Sequence, residues 1–277
     1  MISRVALTPS QQSYGSLLAM RSCLRRARRA TQRRHISRPR FYEHTGIEAV
    51  DQGWSVTLEL GKGRSKKLPT PAGAPLLLPT KRLALAIAAE WDGQTEKIEP
   101  AAMPLMALAS TAVDQLPKER DQTLKNILAY AATDTCRFVA DDQWQPEVRK
   151  RQDKLHEPLL AWLKRAYGAD LERGAPGALR APPTSPETAT ALREACGALS
   201  NWHLAALQSA TFECKSLTIG LALLANEVDA EAAEQAARVE ENQNIERWGL
   251  VEGAHDYDLA RVRVQLCAAS FFADGTA

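Results

Sequence analysis

The first 42 residues contain no Asp, no Glu and no Lys, although they carry ten Arg. Paired cysteines are missing as well: Cys23, Cys136, Cys196, Cys214 and Cys267 include no pair at C-x-x-C spacing. That excludes a zinc ribbon or a dithiol redox motif and leaves buried free thiols in a reducing compartment as the reading. Long apolar runs are absent. The longest nearly continuous one, Leu217 to Ala225, falls far short of the ~20 residues a membrane-spanning helix needs. No P-loop occurs, since the basic, glycine-containing segment 61–67 lacks the spacing. Dinucleotide, zinc-protease and serine-hydrolase signatures are absent too. With 45% hydrophobic and 25% charged residues, the composition remains that of a globular protein.

An acid-free, Arg-rich start with Ser and Leu interleaved is the composition of an organelle transit peptide. Residues 1–36 are read as a mitochondrial import signal, with a basic tail that binds RNA or anionic lipid as the alternative. The charge sum of +2 is therefore misleading. Residues 43–277 hold 25 basic and 33 acidic residues, a net of −8.

The body begins with strand-like sequence. Trp54, Val56, Leu58 and Leu60 alternate with Ser55, Thr57 and Glu59, the period of a half-buried strand. Phe41 to Val50 is predicted as the preceding strand, and Leu76 to Leu78 as a short buried one. Thr80 reads as an N-cap, Leu83 to Trp91 as a helix and Gly93 as its stop. From Met103 the pattern is helical almost to the end. Glu147 to Tyr167 is expected to bend or restart at Pro158. Trp202 to Val228 is predicted as one long helix, Asp229 to Glu246 as another and Leu259 to Phe272 as the last. The fold class is α+β: a small β-rich N-terminal domain at 38–116, followed by an all-α C-terminal domain at 117–277. Pro117 interrupts the pattern at the boundary.

The histidines offer little chemistry. His203 opens an apolar helix and is read as structural. His255-Asp256 is no triad by adjacency, and His156, His203 and His255 lack metal-ligand spacing. What stands out is Glu240 to Gly249, dense in polar groups and ending at Trp248. One reading is a solvated helix face with a glycine stop. The other is an acidic, aromatic-tipped contact surface.

At these residues a family resemblance enters. Arg40-Phe41-Tyr42, Gly53 to Leu58 and the turns at Lys67 to Pro71 and Pro75 to Thr80 occur in the order found in the mitochondrial ATP synthase assembly factor two family. Leu83 to Gln94, reading LALAIAAEWDGQ, resembles that family's first helix. Tyr130 with Thr133-Asp134 and Arg137, then Arg151-Gln152, then His156 to Trp162, and finally Glu240 to Gly249 continue the series. Gln243-Asn244 and His156-Glu157 depart from the family's residues at those points.

The resemblance implies a non-enzymatic chaperone of the mitochondrial matrix with no cofactor or metal. It would bind unassembled ATP synthase alpha subunit until that subunit pairs with beta. It would be a monomer when free, with no nucleic-acid partner and no stable membrane insertion. A permanent structural subunit or scaffold that retains the fold is the alternative. Within the last matched block, Glu240, Glu241, Glu246 and Glu252 are expected to face the client. Trp91 and Trp248 are expected to be packing anchors.

Overall fold

The computed structural model describes residues 38–276, and a three-stranded antiparallel sheet lies near their start, after a two-residue strand at Arg38–Pro39 that pairs with Lys97–Ile98. The predicted import signal at 1–36 lies outside the described residues. Strand β1 (Thr45–Val50) and strand β2 (Gly53–Glu59) form a hairpin with Ile47 opposite Val56. Strand β3 (Ser65–Lys67) adds on the far side of β2, Thr57 opposite Lys67. Val56 and Leu58 point to the buried face, as their alternation requires. Gly53 is needed where it stands. Its φ is +145°, and a Cβ there would meet the Leu78 carbonyl oxygen at 2.4 Å.

Two expected strands differ. The first begins only at Thr45, because Tyr42 turns into the core while Phe41 is exposed. Leu76 to Leu78 is not a strand but a single bridge, in which Trp54 and Leu78 exchange both backbone hydrogen bonds at 2.8 Å. Leu76 and Leu78 are buried while Leu77 faces out, so the period of two is present. The flanking Pro75 and Pro79 have no N–H with which to extend a ladder.

Helix α1 (Lys81–Asp92) lies on β1 and β2. The Thr80 hydroxyl accepts from the Leu83 N–H, and Leu83, Ala84, Ile87 and Ala88 supply the buried face. Helix α2 (Pro104–Ser110) runs through a π-helical turn, Thr111–Gln115, into helix α3 (Leu116–Ala129). The turn precedes Pro117, which cannot donate to the preceding carbonyls. Helix α4 (Pro146–Tyr167) contains Pro158 yet is unbroken. Pro158 and Lys154, the residue four back, both face solvent, so the carbonyl left without its helical donor can bond to water. Helix α5 (Pro186–Gly197) follows a loop. Arg137, fully buried, staples that loop by donating to the carbonyls of Glu172 and Pro182 and to the Thr184 hydroxyl.

The long helix expected over 202–228 is two: helix α6 (Asn201–Cys214) and helix α7 (Leu217–Leu224). Lys215 adopts a left-handed conformation at φ 52°, and Ser216 caps the new helix. The two helices fold back on each other. Gly220 sits so close to α6 that an added Cβ would come within 2.7 Å of the Thr211 hydroxyl oxygen. The stretch from 229 also divides, into helix α8 (Ala230–Ala237) and helix α9 (Val239–Trp248), with Arg238 between them at φ −120° and ψ 30°, outside helical geometry. Helix α10 (His255–Asp274) starts four residues earlier than periodicity indicated and packs along α6.

The described residues from Pro39 onward form one compact unit, and one buried cluster takes in Val56 and Leu83 near the sheet and Leu207, Leu221 and Phe272 among the helices. No helix among the described residues is long and apolar enough to cross a membrane.

Candidate partner-binding surface

Helix α9 is held by one buried apolar residue, Val239, and by ion pairs on either side. Glu234 of α8 is almost fully buried and pairs with Arg238 and with Arg263 of α10. Arg238 in turn reaches Asp258 of α10, which also receives Arg261 at 3.1 Å. The two guanidinium groups hold the Asp258 carboxyl below the usual carboxylate range. This network fixes the corner of α8, α9 and α10, and sequence reasoning missed it. Its pairs span 3 to 29 residues, and only Glu234/Arg238 and Asp258/Arg261 have helical spacing.

The four expected carboxylates share this corner but differ in their surroundings. Glu240 and Glu241 occupy the first turn of α9, where the helix dipole favours negative charge. Glu240 accepts a hydrogen bond from the Gln152 side chain at 3.3 Å, and Glu241 is exposed without a hydrogen-bond or ion-pair partner among the described residues. Glu246 accepts both guanidinium arms of Arg151, one of them at 2.8 Å, and that bond holds its carboxyl below the usual range. Glu252 lies exposed in the turn between α9 and α10.

Trp248 departs from expectation. It is 75% exposed rather than packed at the helix end, and its ring carries the Arg247 guanidinium 4.9 Å from its centroid. Arg247 therefore stacks on its neighbour. The chain turns away at Gly249 (φ +86°), which leaves nothing above the ring to bury it. Leu250, Val251 and Tyr257 continue this exposed apolar strip. Trp91 lies at the end of α1, half-buried against the core, 5.6 Å from the Tyr42 ring centroid. The Tyr42 hydroxyl donates to the Trp91 carbonyl at 2.6 Å. An anchoring role for Trp91 remains our proposal.

A groove lies on each side of α9. One, of about 580 Å³, is walled by Leu155, Val239, Ile245, Leu250 and Leu259, with Arg151 and Glu246 at its rim. The other, of about 500 Å³, runs between α9 and the segments carrying Asp141 and Leu179. Leu179, 93% exposed, is on its apolar side. No group of three metal-ligating side chains comes together among the described residues. His203 and His255 each make a local hydrogen bond, to Ser200 and to the Val251 N–H. The arrangement is suited to contact with another macromolecule: carboxylates and uncovered apolar side chains on one rigid corner.

Comparison with known proteins places this architecture. A family model described as ATP12 chaperone protein matches residues 39–164. The crystal structure of Atp12 from Paracoccus denitrificans superposes with a TM-score of 0.76 at 30% identity, covering 86% of this chain and 98% of that one. The chain belongs to the ATP12 chaperone family. The mitochondrial atp12 protein of Schizosaccharomyces pombe is 25% identical over 240 residues, 83% of this chain and 80% of that one. The mitochondrial ATP12 protein of Saccharomyces cerevisiae is 24% identical over 281 residues, 88% of this chain and 86% of that one. The ATP12 fold thus accounts for the small sheet followed by helices. The family model ends inside α4, short of α9. Within the chain, the matched segments include α1 and most of α4, the helix that carries Gln152 and Arg151 toward α9.

Proposed function

We propose that this ATP12-family chain is an assembly chaperone of the mitochondrial matrix for the catalytic sector of ATP synthase. It holds unassembled alpha subunit and prevents its aggregation until that subunit meets beta. The family supports the chaperone role, and the names of the fungal relatives support a mitochondrial setting. The acid-free Arg-rich leader is consistent with import. The observation that carries the reading is the corner around α9, where Trp248, Leu250, Val251 and Tyr257 stand uncovered beside Glu240, Glu241, Glu246 and Glu252. A ring subunit exposes a large interface before assembly, and that interface is an aggregation liability. A partner covering it must bind and later leave, which favours a moderate, partly polar contact. Release by competition with beta requires no nucleotide.

The test is a pull-down with the chain from matrix extract, followed by gel filtration of the eluate. Recovery of free alpha subunit without the remaining ring is expected. Recovery of intact synthase at fixed ratio would instead make the chain a permanent subunit. Recovery of neither would mean that its client is another protein.

A further inference from the structure

The groove beside Asp141 contains polar groups that the protein itself does not satisfy. His156, on α4, is 1% exposed and lines this groove. Its Nε2 lies 2.8 Å from the Ala236 carbonyl oxygen. A carbonyl only accepts, so Nε2 carries the proton. Burial pushes the ring's pKa below its ordinary value, so the ring is neutral. Nδ1 is then a bare acceptor, and it has no hydrogen-bond partner. A buried acceptor without a donor is a standing cost to the fold, and a donor entering the groove would relieve it.

The charged groups lining the same groove are Asp141, Glu240 and Glu241 against one cation, Lys215. One Asp141 oxygen caps the turn by accepting from the Gln143 and Trp144 N–H groups, and the other makes no hydrogen bond among the described residues. Gln152, also buried, is committed at both ends: its carbonyl accepts from the Ala140 N–H at 2.7 Å, and its amide donates to Glu240. The groove therefore offers acceptors in excess, with apolar walls at Phe138, Val139, Leu179 and Val239. Such a set is complementary to a side chain that only donates and has an apolar stem.

We propose that this groove receives an arginine side chain carried on an apolar segment of the client protein. The guanidinium has five donors in a planar fork, enough to pair with a carboxylate and still reach the imidazole nitrogen. Its stem lies along the apolar walls. The identity of the partner rests on the function proposed above; the cation preference of the groove does not.

Two measurements on the full chain separate these. In the first, the chain is titrated with N-acetyl-arginine amide and, in parallel, with N-acetyl-citrulline amide, its uncharged analogue. The His156 Nδ1 and Gln152 side-chain resonances are followed by NMR. Saturable shifts of both are expected with the arginine compound, at an affinity at least tenfold above that for citrulline. The double variant Asp141→Asn/Glu241→Gln should lose at least tenfold, and the distant Glu187→Gln should not change. Equal responses to the two compounds, or no response, overturn the cation site. In the second, unassembled alpha subunit is the ligand. A tenfold weaker complex with the double variant supports the arginine of the client as occupant, and an unchanged complex overturns it. If the wild-type chain binds no alpha subunit while the arginine compound still saturates, the proposed function falls and the cation site stands.

Discussion

Glu90 shows how one side chain can tie two parts of the chain together and make the link sensitive to pH. It stands on the last turn of α1 and accepts backbone N–H groups from Leu105 and Met106 at 2.7 and 2.8 Å, at the start of α2. Burial raises its pKa to about 7, against the opposing pull of those two N–H donors. The sign follows from linkage. A carboxyl that holds its proton more tightly when folded contributes most at low pH, and that contribution is lost as pH rises from about 4.5 through about 7. Glu90→Gln removes the titrating group. The melting temperature of the variant relative to wild type should therefore move in the variant's favour from pH 5 to pH 8. A difference that is flat over that range would show that Glu90 does not titrate there.

At the scale of elements, the break between α6 and α7 rests on a carboxylate from elsewhere in the chain. Asp134 is fully buried and accepts four donors: the Cys136 N–H at 3.0 Å, the Ser216 hydroxyl at 2.6 Å, and the N–H and hydroxyl of Thr218 at 2.9 and 3.0 Å. Asp134→Asn replaces one acceptor oxygen with an NH2 group facing donors. It should cost about 2–4 kcal/mol, read as a lower urea midpoint with unchanged slope. A midpoint equal to wild type would mean that the break is set by Lys215 and Ser216 alone. This contact also explains what sequence reading could and could not see. Cys214, Leu217, Leu221 and Leu224 keep helical spacing across the break, so periodicity reports one helix; the carboxylate that ends it lies some 80 residues earlier. Arg238 hides in the same way, because its departure from the helix is stabilised by Asp258. Where the signal is local, as in the alternation of β2 or the Thr80 cap of α1, the element was legible. The four carboxylates stand out in the sequence as a block, and the structure sets Glu240, Glu241 and Glu246 on α9 and Glu252 in the turn after it; their contact with a client is a proposal. The grooves beside α9, and the pairing of Glu246 with Arg151, were not legible, because they need α4 and α9 brought together. Trp248 was misjudged for want of knowing that the chain leaves at Gly249 with no element above the ring.

For the whole molecule, the distribution of charge sets how a client is met. The body carries a net of −8 over residues 43–277, and the α9 corner presents part of that charge beside an uncovered apolar strip. Long-range attraction to a basic surface speeds encounter and weakens with salt, whereas the apolar strip is nearly insensitive to it. Charge reversal on the corner should separate the two contributions. Glu241→Lys alters an exposed side chain with no partner among the described residues, so folding should be intact, with melting within about 1 kcal/mol of wild type. Glu246→Lys also removes the exposed pair with Arg151, whose own worth is about 0–1 kcal/mol. If the client is the alpha subunit, as proposed, both variants should bind it more weakly, chiefly through a slower association rate, and the deficit should shrink as salt is raised from 50 to about 500 mM, where screening leaves the apolar contact dominant. Glu241→Lys should be the more damaging, because the charge it reverses is not already neutralised by an arginine. Normal association by both variants at low salt would remove α9 from the contact surface and leave the apolar strip at Leu250, Val251 and Tyr257 to account for binding on its own.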